Sequence, residues 1–180
     1  MSNEKKPLTL ASAIIETPLG PIMAIADNNK LYLLDFIDRK KCDAKIARLQ
    51  IKTNAIIAPG TNSIIALITQ ELTAYFAGTL QHFTTPMYPL GSEFQNNVWK
   101  TLTTIPYGTT ITYAQEAAMI GNKNACRAVA NANSHNTLVI IIPCHRIVSS
   151  NGKLCGYASG IDRKQWLIDH EKNSKRALNS

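Results

Sequence analysis

Ile-Ile-Ile-Pro-Cys-His-Arg-Ile-Val, from Ile140 to Val148, is the stretch that decides how the rest of the chain is interpreted. The apolar run Leu138–Ile142 is long enough to cross a core as a β-strand. Pro143 lacks a backbone N–H and has a fixed φ, so we expect it to end the strand and turn the chain. Cys144 is then expected at the strand end, close to the surface and between apolar side chains.

The residues that follow Cys144 suit a reactive thiol. A thiol acts as a nucleophile when it is a thiolate, which a basic or positively charged neighbourhood favours. His145 and Arg146 supply such groups at the adjoining positions. The alternative is that Cys144 is an inert residue of the core, since buried cysteine usually behaves as a small hydrophobe. Residue types alone leave the two interpretations about equally weighted.

Size and charge limit the classes of protein to be considered. The chain has 180 residues, of which 45% are hydrophobic and 17% are charged, and its net charge is +7. This length fits one medium domain or two small ones. A basic chain favours a polyanionic partner such as nucleic acid. Neither a signal peptide nor an apolar run of about 18 residues is recognisable, which predicts a soluble, cytoplasmic protein without membrane contact.

The cysteine and histidine spacings predict neither a metal site nor a disulfide framework. No C-x-x-C pair and no closely spaced histidine pair occurs, so a zinc site would have to be assembled from scattered residues. Disulfides are also unexpected in a chain of this size that is not secreted. We expect no cofactor. The residues concerned are Cys42, Cys126, Cys144 and Cys155, with His82, His135, His145 and His170.

The patterning divides the chain into two halves. The first half is predicted to be α+β, with an antiparallel meander of three strands at residues 12–17, 21–27 and 31–37 and helices at 40–50 and 61–76. Residues 80–91 contain two prolines and little periodicity, which indicates a linker. We therefore expect an N-terminal domain at residues 1–88 and a C-terminal domain at 89–180.

The second half is predicted to be mostly helical. Ser92 is a candidate cap for one helix, and Thr112 with Gln115 forms a capping box for another that ends at Gly121. A further short helix follows at residues 124–133. Two short helices joined by a glycine turn in a basic chain indicate a helix-turn-helix, although such pairs also occur in ordinary cores.

The second of these helices is unusual for a protein that reads DNA bases. A helix in the major groove normally carries several Arg, Asn or Gln side chains. This one carries many alanines and a single long cation, Arg127. A surface of small residues allows close approach to a narrow groove, where one arginine could fill the place of a displaced base. Tight packing inside a core would require the same small residues.

Together, these motifs resemble the O6-alkylguanine-DNA alkyltransferases, which are the methylated-DNA–protein-cysteine methyltransferases. The resemblance spans about residues 92–171, and Pro-Cys-His-Arg followed by Gly-Tyr is its most specific part. It implies an N-terminal domain with a ribonuclease H-like layout and a C-terminal domain of winged helix-turn-helix type that carries the active cysteine. The matching text is Phe94 to Trp99, Ile105 to Gly108, Thr112-Tyr113, Gly121-Asn122, Arg127 to Val129, Asn131, Asn136, Ile142 to Arg146, Gly156-Tyr157 and His170-Glu171.

The resemblance implies DNA repair by direct reversal. An alkyl group, chiefly methyl, would move irreversibly from O6 of guanine to Cys144, and each molecule would act once. O4-alkylthymine is left open as a second substrate. His145 would take the thiol proton through a water, Glu171 would support the imidazole, and Asn136 would stabilise the turn that holds the thiol.

The resemblance also implies how DNA is bound. The target base lies within a stack and must be flipped out of the duplex. Arg127 matches the intercalating arginine, and Tyr113 matches the tyrosine that assists rotation of the nucleotide. Ala125, Ala128 and Asn131 would face the minor groove of double-stranded DNA that contains the alkylated guanine. The protein would act as a monomer.

A third implication is a pocket for the flipped base. Tyr157 matches a wall of that pocket, and Val148 lies where backbone groups should read the edge of the guanine. Val139 stands where many relatives have a proline, and Ser159 stands where a glycine is common, so we expect a differently shaped wall. Trp99 completes the set of expected pocket residues.

Three other classes remain as alternatives. A damage-binding protein of the same fold would lack the reactive cysteine, whereas Cys144 is present. A hydrolase with a Cys–His pair would need an oxyanion hole and would turn over more than once. A helix-turn-helix regulator is disfavoured by the alanine-rich second helix and by the lack of a dimerisation segment.

Overall fold

A four-stranded sheet forms the first half of the protein. A computed structural model of the chain describes residues 8–38 and 42–178. Its strands are β1 (Leu8–Ile15), β2 (Ile22–Ala26), β3 (Leu31–Phe36) and β4 (Ala55–Pro59), in the order β3-β2-β1-β4. The predicted antiparallel meander is confirmed for β1 to β3. β4 runs parallel to β1 and escaped prediction, because this mostly exposed edge strand lacks an alternating apolar pattern.

Two helices cover the two faces of this sheet. Since successive side chains of a strand point to opposite faces, Leu33 packs with Leu49 of α1 (Cys42–Thr53), and Leu34 packs with Ile68 of α2 (Ser63–Phe76). α2 begins at the N-cap Asn62, whose side chain accepts a hydrogen bond from the backbone of the helix. The predicted start of the first helix, at residue 40, lies outside the described residues.

The second half is mostly helical, as predicted. Its helices are α3 (Glu93–Leu102), α4 (Tyr113–Met119), α5 (Cys126–Ser134) and α6 (Ile161–Leu178), and a small parallel pair joins β5 (Ile111–Thr112) to β6 (Ile147–Val148). Capping boxes start α3 at Ser92 and α4 at Thr112. α4 and α5 form the predicted helix-turn-helix, and their turn contains Gly121 at φ +80°. The two short strands and α6 were not among the predicted elements.

The expectation of a strand over 138–142 is wrong. Leu138 makes an isolated parallel bridge to Leu34 of β3, and Val139 makes another to Ile142, three residues further along. Ile140 between them has φ +72°, which reverses the chain as a tight turn. The run is apolar because it is buried between the edge of the sheet and the helical half. Its apolar composition therefore indicates burial and does not indicate an extended backbone.

The two halves share a core. One cluster of buried side chains includes Leu34 and Ile68 from the first half together with Val98 and Leu167 from the second. The connection between the halves, residues 77–92, has no helix or strand of its own, in agreement with the predicted linker. The exact division at residues 88 and 89 stays a prediction. Within the described ranges, no helix is both long and apolar enough to span a bilayer.

One buried carboxylate holds this connection against α2. Glu71 accepts hydrogen bonds from the backbone N–H and the hydroxyl of both Thr84 and Thr85, at 2.6 to 3.1 Å. Burial alone would raise the pKa of Glu71, but these hydrogen bonds lower it below its ordinary value. The carboxylate is therefore ionised at neutral pH and ties the linker to the first half.

Replacing Glu71 with alanine should lower the free energy of unfolding by roughly 2–4 kcal/mol, because four donors lose their acceptor. Urea denaturation at pH 7 measures this, with the exposed Glu16→Ala as the matched control. Since the pKa of Glu71 is lowered in the folded state, its contribution is present above the unfolded pKa and is lost as the pH falls through the folded one. Equal stability of the two variants at pH 7 would contradict this role.

Candidate active site

Cys144 lies at the start of a short 3₁₀ turn, Cys144–Arg146, directly after Pro143. Its backbone N–H donates to the carbonyl of Ile142 at 2.8 Å, and the residue is 7% exposed. The side-chain amide of Asn136 donates to the Cys144 sulfur at 3.2 Å and to the Ile142 carbonyl at 2.8 Å. Asn136 thus joins the thiol to the turn before it, and a hydrogen bond to sulfur favours the thiolate.

The next residue, His145, points away from solvent into the protein. Its Nε2 lies 2.7 Å from Oε1 of Glu171 on α6, and both side chains are almost completely buried. Residues 26 positions apart in the chain are therefore brought together, as the resemblance implied.

Glu171 is the most highly coordinated group of the site. Arg146 donates to both of its oxygens, at 2.9 and 3.0 Å, the hydroxyl of Tyr75 donates at 2.9 Å and the backbone of Gly108 at 3.0 Å. Burial by itself would raise the pKa of Glu171. The charge and hydrogen bonds of His145 and Arg146 outweigh it and hold that pKa far below its ordinary value, so Glu171 is a carboxylate.

The ionised Glu171 fixes the tautomer of His145. Burial lowers the pKa of His145, and although Glu171 opposes this, the net direction is downward, which favours a neutral ring. A carboxylate only accepts, so Nε2 carries the proton and Nδ1 has the lone pair. Nδ1 is buried and has no hydrogen-bond partner within residues 8–38 and 42–178. The site therefore contains an oriented base on the residue next to the thiol.

Arg146, which was expected to provide positive charge near the thiol, is directed at Glu171. Besides Glu171, its guanidinium donates to the backbone carbonyl of Ile105 at 2.6 Å. The planar fork of Arg matches a carboxylate, so the bidentate contact with Glu171 determines its position. Arg146 neutralises the charge of the buried Glu171 carboxylate.

The expected DNA-facing residues of α5 are mostly at the surface. Arg127, Ala128 and Asn131 are exposed on one side of the helix. Ala125 differs, because it is 8% exposed and belongs to the core, where it immediately precedes α5. Its expected place in the minor groove is not supported by this burial.

A second group of expected residues gathers around the loop 155–159. The hydroxyl of Tyr113, at the start of α4, lies 3.5 and 3.4 Å from the carbonyls of Cys155 and Gly156. Tyr157 and Ser159 of this loop are buried, and Val148 of β6 is half-buried.

Two of the expected pocket residues lie deeper. The backbone N–H of Val139 donates to the carbonyl of Leu34 at 2.9 Å, which places Val139 at the junction with the sheet. The indole N–H of Trp99 donates to the carbonyl of Ala132 at 3.0 Å and thereby supports α5. Both are interior residues, since each is 2% exposed.

Sequence reasoning missed Lys164, which is completely buried on α6. Its ammonium donates to the carbonyl of Cys155 at 2.9 Å and lies about 6 Å from the rings of Tyr113 and Tyr157. Burial lowers its pKa, while charges at Cys144, Cys155 and Glu116 act in the opposite direction. A signal existed: Lys164, Leu167 and Glu171 follow the spacing of one helix face, so two charged residues share its buried stripe.

Glu116 of α4 is a further buried group that sequence reasoning missed. One of its oxygens accepts from the side-chain amide of Asn133 at 2.8 Å, and the other has no hydrogen-bond partner in the described chain. Burial raises the pKa of Glu116 to about 7, with the hydrogen bond from Asn133 and the charge of Lys164 as smaller opposing effects. Glu116 therefore changes charge near neutral pH.

The described residues contain no group of three His, Cys, Asp or Glu side chains that could hold a metal ion. The four cysteines form no disulfide, so Cys144 and Cys155 are separate thiols. The chemistry available is thus that of a thiol, an oriented imidazole and a buried carboxylate beside a helix-turn-helix. This combination defines a DNA-binding protein with a cysteine nucleophile.

Comparison with known proteins identifies the family. Residues 10–89 match the ribonuclease-like domain of 6-O-methylguanine DNA methyltransferase, and residues 93–173 match its DNA-binding domain. The chain belongs to the 6-O-methylguanine DNA methyltransferase family.

Individual relatives agree over nearly the whole chain. A methylated-DNA–protein-cysteine methyltransferase of Methanosarcina barkeri is 43% identical over 163 residues, which are 91% of this chain and 98% of that protein. The crystal structure of the Mycobacterium tuberculosis O6-methylguanine methyltransferase matches with a TM-score of 0.78 at 36% identity, covering 92% of this chain and 94% of that one. The M. tuberculosis protein in complex with DNA also has a TM-score of 0.78, with 36% identity and coverage of 93% and 94%.

Replacing Glu116 with glutamine should stabilise the protein above neutral pH. The raised pKa means that the folded state holds a proton that the unfolded state releases, so wild-type stability declines as the pH rises through about 7. Glutamine keeps an acceptor for Asn133 and removes this decline. We expect a gain of roughly 1–3 kcal/mol at pH 8.5 and little at pH 5 in urea denaturation. A difference that is constant between these pH values would contradict the prediction.

Proposed function

We propose that Cys144 is the acceptor of alkyl groups, chiefly methyl, from O6 of guanine in double-stranded DNA. The observation that carries this proposal is the buried His145–Glu171 pair, which leaves the basic Nδ1 of His145, the residue next to Cys144, without a hydrogen-bond partner in the described chain. Family membership supplies the substrate class, and the geometry supplies the means of activating the nucleophile.

The proposed reaction is one in-line displacement. His145 takes the thiol proton at Nδ1 through a bridging water, because adjacent side chains are poorly placed for a direct contact. The sulfur of Cys144 bonds to the alkyl carbon while the bond from that carbon to O6 breaks, and O6 keeps the electron pair. Guanine regains its ring proton, which balances the proton lost by the thiol. Glu171 stabilises the imidazolium that forms between these two transfers.

The product explains the stoichiometry. A thioether is chemically stable, so each molecule is expected to act once. Asn136 contributes by donating to the sulfur, which stabilises the developing thiolate and holds the turn. We propose a catalytic set of four residues: Cys144, His145, Glu171 and Asn136.

Base flipping is proposed for the exposed face of α5. A base within a duplex cannot reach a thiol that is 7% exposed, so the nucleotide must leave the stack. Arg127 would occupy the vacated position, while Ala128 and Asn131 allow close approach in the minor groove. The net charge of +7 supports binding to the phosphate backbone.

The loop 155–159 is our candidate for the base pocket. Tyr113 and Tyr157 offer aromatic faces for the base, and the Ser159 hydroxyl is buried without a hydrogen-bond partner in the described chain, as expected for a group awaiting a ligand. Val148 presents backbone groups beside it. We place Val139 and Trp99 behind the pocket, where they support its walls.

The setting of the reaction is also part of the proposal. A displacement on one base needs one active site and no second subunit, so we propose that the protein acts as a monomer. Because its substrate is chromosomal DNA, we propose a location in the cytoplasm, at the nucleoid in a bacterial cell.

Intact-protein mass spectrometry with excess duplex carrying one O6-methylguanine tests the function. We expect one added methyl per protein, mapped to Cys144, and none in Cys144→Ala, which should still bind the duplex. Cys42→Ser, which changes another cysteine, on α1 of the first half, is the matched control and should be methylated like wild type. No added mass with tight DNA binding would instead indicate a damage-recognition protein, and product beyond one equivalent would indicate a hydrolase.

Replacing Arg127 with alanine should slow repair of duplex DNA about 100-fold, because a few kcal/mol of help with unstacking is lost. Reaction with free O6-methylguanine base should change less than about threefold, since no base has to leave a stack. Single-turnover rates with the two substrates measure the difference. Arg48→Ala, an exposed arginine on α1, is the charge-matched control. A parallel fall of both rates in Arg127→Ala would argue against a role in base flipping.

A further inference from the structure

The thiol's own loop is attached to the N-terminal sheet by backbone hydrogen bonds. The N–H of Leu34 in β3 donates to the carbonyl of Thr137 at 2.8 Å, and the carbonyl of Leu34 accepts from Val139 at 2.9 Å. The segment 137–139 therefore extends the sheet beyond β3. Asn136, which bonds to the Cys144 sulfur, immediately precedes this attachment.

Two charged side chains reinforce the same junction. Asp35, next to Leu34, is completely buried and accepts from the Lys45 ammonium of α1 at 2.7 Å. The same ammonium also donates to the backbone carbonyl of Asn136. A buried carboxylate is costly without a partner, so the position of Lys45 is strongly determined by Asp35.

Asn136 connects this ion pair to the thiol. Its side-chain oxygen accepts from the N–H of Leu138 at 2.9 Å, and its amide nitrogen donates to the Ile142 carbonyl and to the Cys144 sulfur. Lys45 fixes the backbone of Asn136, and these bonds fix its side chain. The chain of contacts runs without a gap from Asp35 through Lys45 and Asn136 to Cys144.

We propose that Lys45 is a positioning residue for alkyl transfer, through which the N-terminal domain holds the Asn136 amide on the Cys144 sulfur. This rests on the proposed function and assigns a task to the N-terminal half, which contributes no group to the catalytic set. Lys45 does not touch the substrate; it limits the movement of the donor that stabilises the thiolate. Asp35 in turn keeps the ammonium directed at the Asn136 carbonyl.

The reactivity of the thiol, measured without DNA, is the direct test. We expect Lys45→Met to slow modification of Cys144 by iodoacetamide about tenfold at pH 7 and to move the rising part of its pH–rate profile to higher pH. Peptide mapping separates Cys144 from Cys126 and Cys155, which are partly exposed. The Lys164 ammonium on α6 and the Tyr113 phenol on α4, which interact electrostatically with Cys144, and the neighbouring His145 are the same in all variants.

Matched variants distinguish the positioning role of Lys45 from a general weakening of the contact between the two domains. Lys52→Met removes another α1 lysine, one that donates to the Leu90 carbonyl and not to the thiol's loop, and should leave the profile unchanged. Lys45→Arg keeps a donor and should recover most of the rate. Asp35→Asn should shift the profile in the same direction as Lys45→Met, and it provides the test if Lys45→Met does not fold.

Methyl transfer from duplex DNA supplies the second readout. The single-turnover rate constant should fall about tenfold in Lys45→Met, while the Kd for the duplex stays within about twofold of wild type. An unshifted pH–rate profile, or a loss confined to the Kd, would overturn the positioning role. Failure of the proposed function looks different: wild type itself would take up no methyl, although its thiol would still react with iodoacetamide.

Discussion

The carboxylate of Glu171 is the interaction on which the rest of the structure depends. An isolated ionised carboxylate is prohibitively costly in a protein interior, and here five hydrogen bonds compensate it. They come from α2, from the turn at Gly108 and from two successive residues of the 3₁₀ turn. Because the side chain of Glu171 binds elements from both halves, the His145 imidazole is oriented by the same contacts that hold the fold together.

This arrangement explains why charge near the thiol is distributed as it is. The positive charge of Arg146 cancels the negative charge of Glu171, and the lowered pKa of His145 favours its neutral ring. The net charge of these three side chains is therefore zero. Lys164 and Glu116 are a second pair of buried charged residues that interact electrostatically, and Lys164 also lies about 6 Å from the ring of Tyr113. The charge of Lys164 lowers the pKa of His145, so the two groups of buried polar side chains are electrostatically coupled.

Much of the fold could be predicted from the sequence because its signals are local. The turns of the meander, the helix cap at Ser92, the capping box at Thr112 and the glycine turn of the helix-turn-helix all depend on a few neighbouring residues. β4 and the segment at 138–142 could not be predicted in this way. β4 is defined by its partner β1, and the apolar run is buried by contacts between the halves, so neither carries its own periodic pattern.

The site residues, like the fold, divide into those that local sequence motifs indicate and those that depend on distant contacts. The motif around Cys144 and its resemblance to a family were enough to choose Cys144, His145, Glu171 and Asn136, which the structure brings together. Ala125, Val139 and Trp99 were assigned to the DNA surface or the pocket through the resemblance; all three are interior, and their roles stay predictions. Tyr75 and Lys45 were missed because each acts across the domain junction, at 96 and 91 positions from its partner.

At Ile140, some stability of the fold is lost and a well-defined conformation of the loop before Cys144 is gained. A β-branched residue at φ +72° is strained, at a cost of roughly 1–3 kcal/mol that its surroundings must offset. Glycine would adopt the turn without strain, but it would also give the segment before the thiol many more conformations. By keeping a stiff, buried isoleucine there, the chain accepts a less stable fold in exchange for a loop with essentially one shape. If each molecule reacts once, as proposed, it has no later cycle in which to correct a misplaced nucleophile.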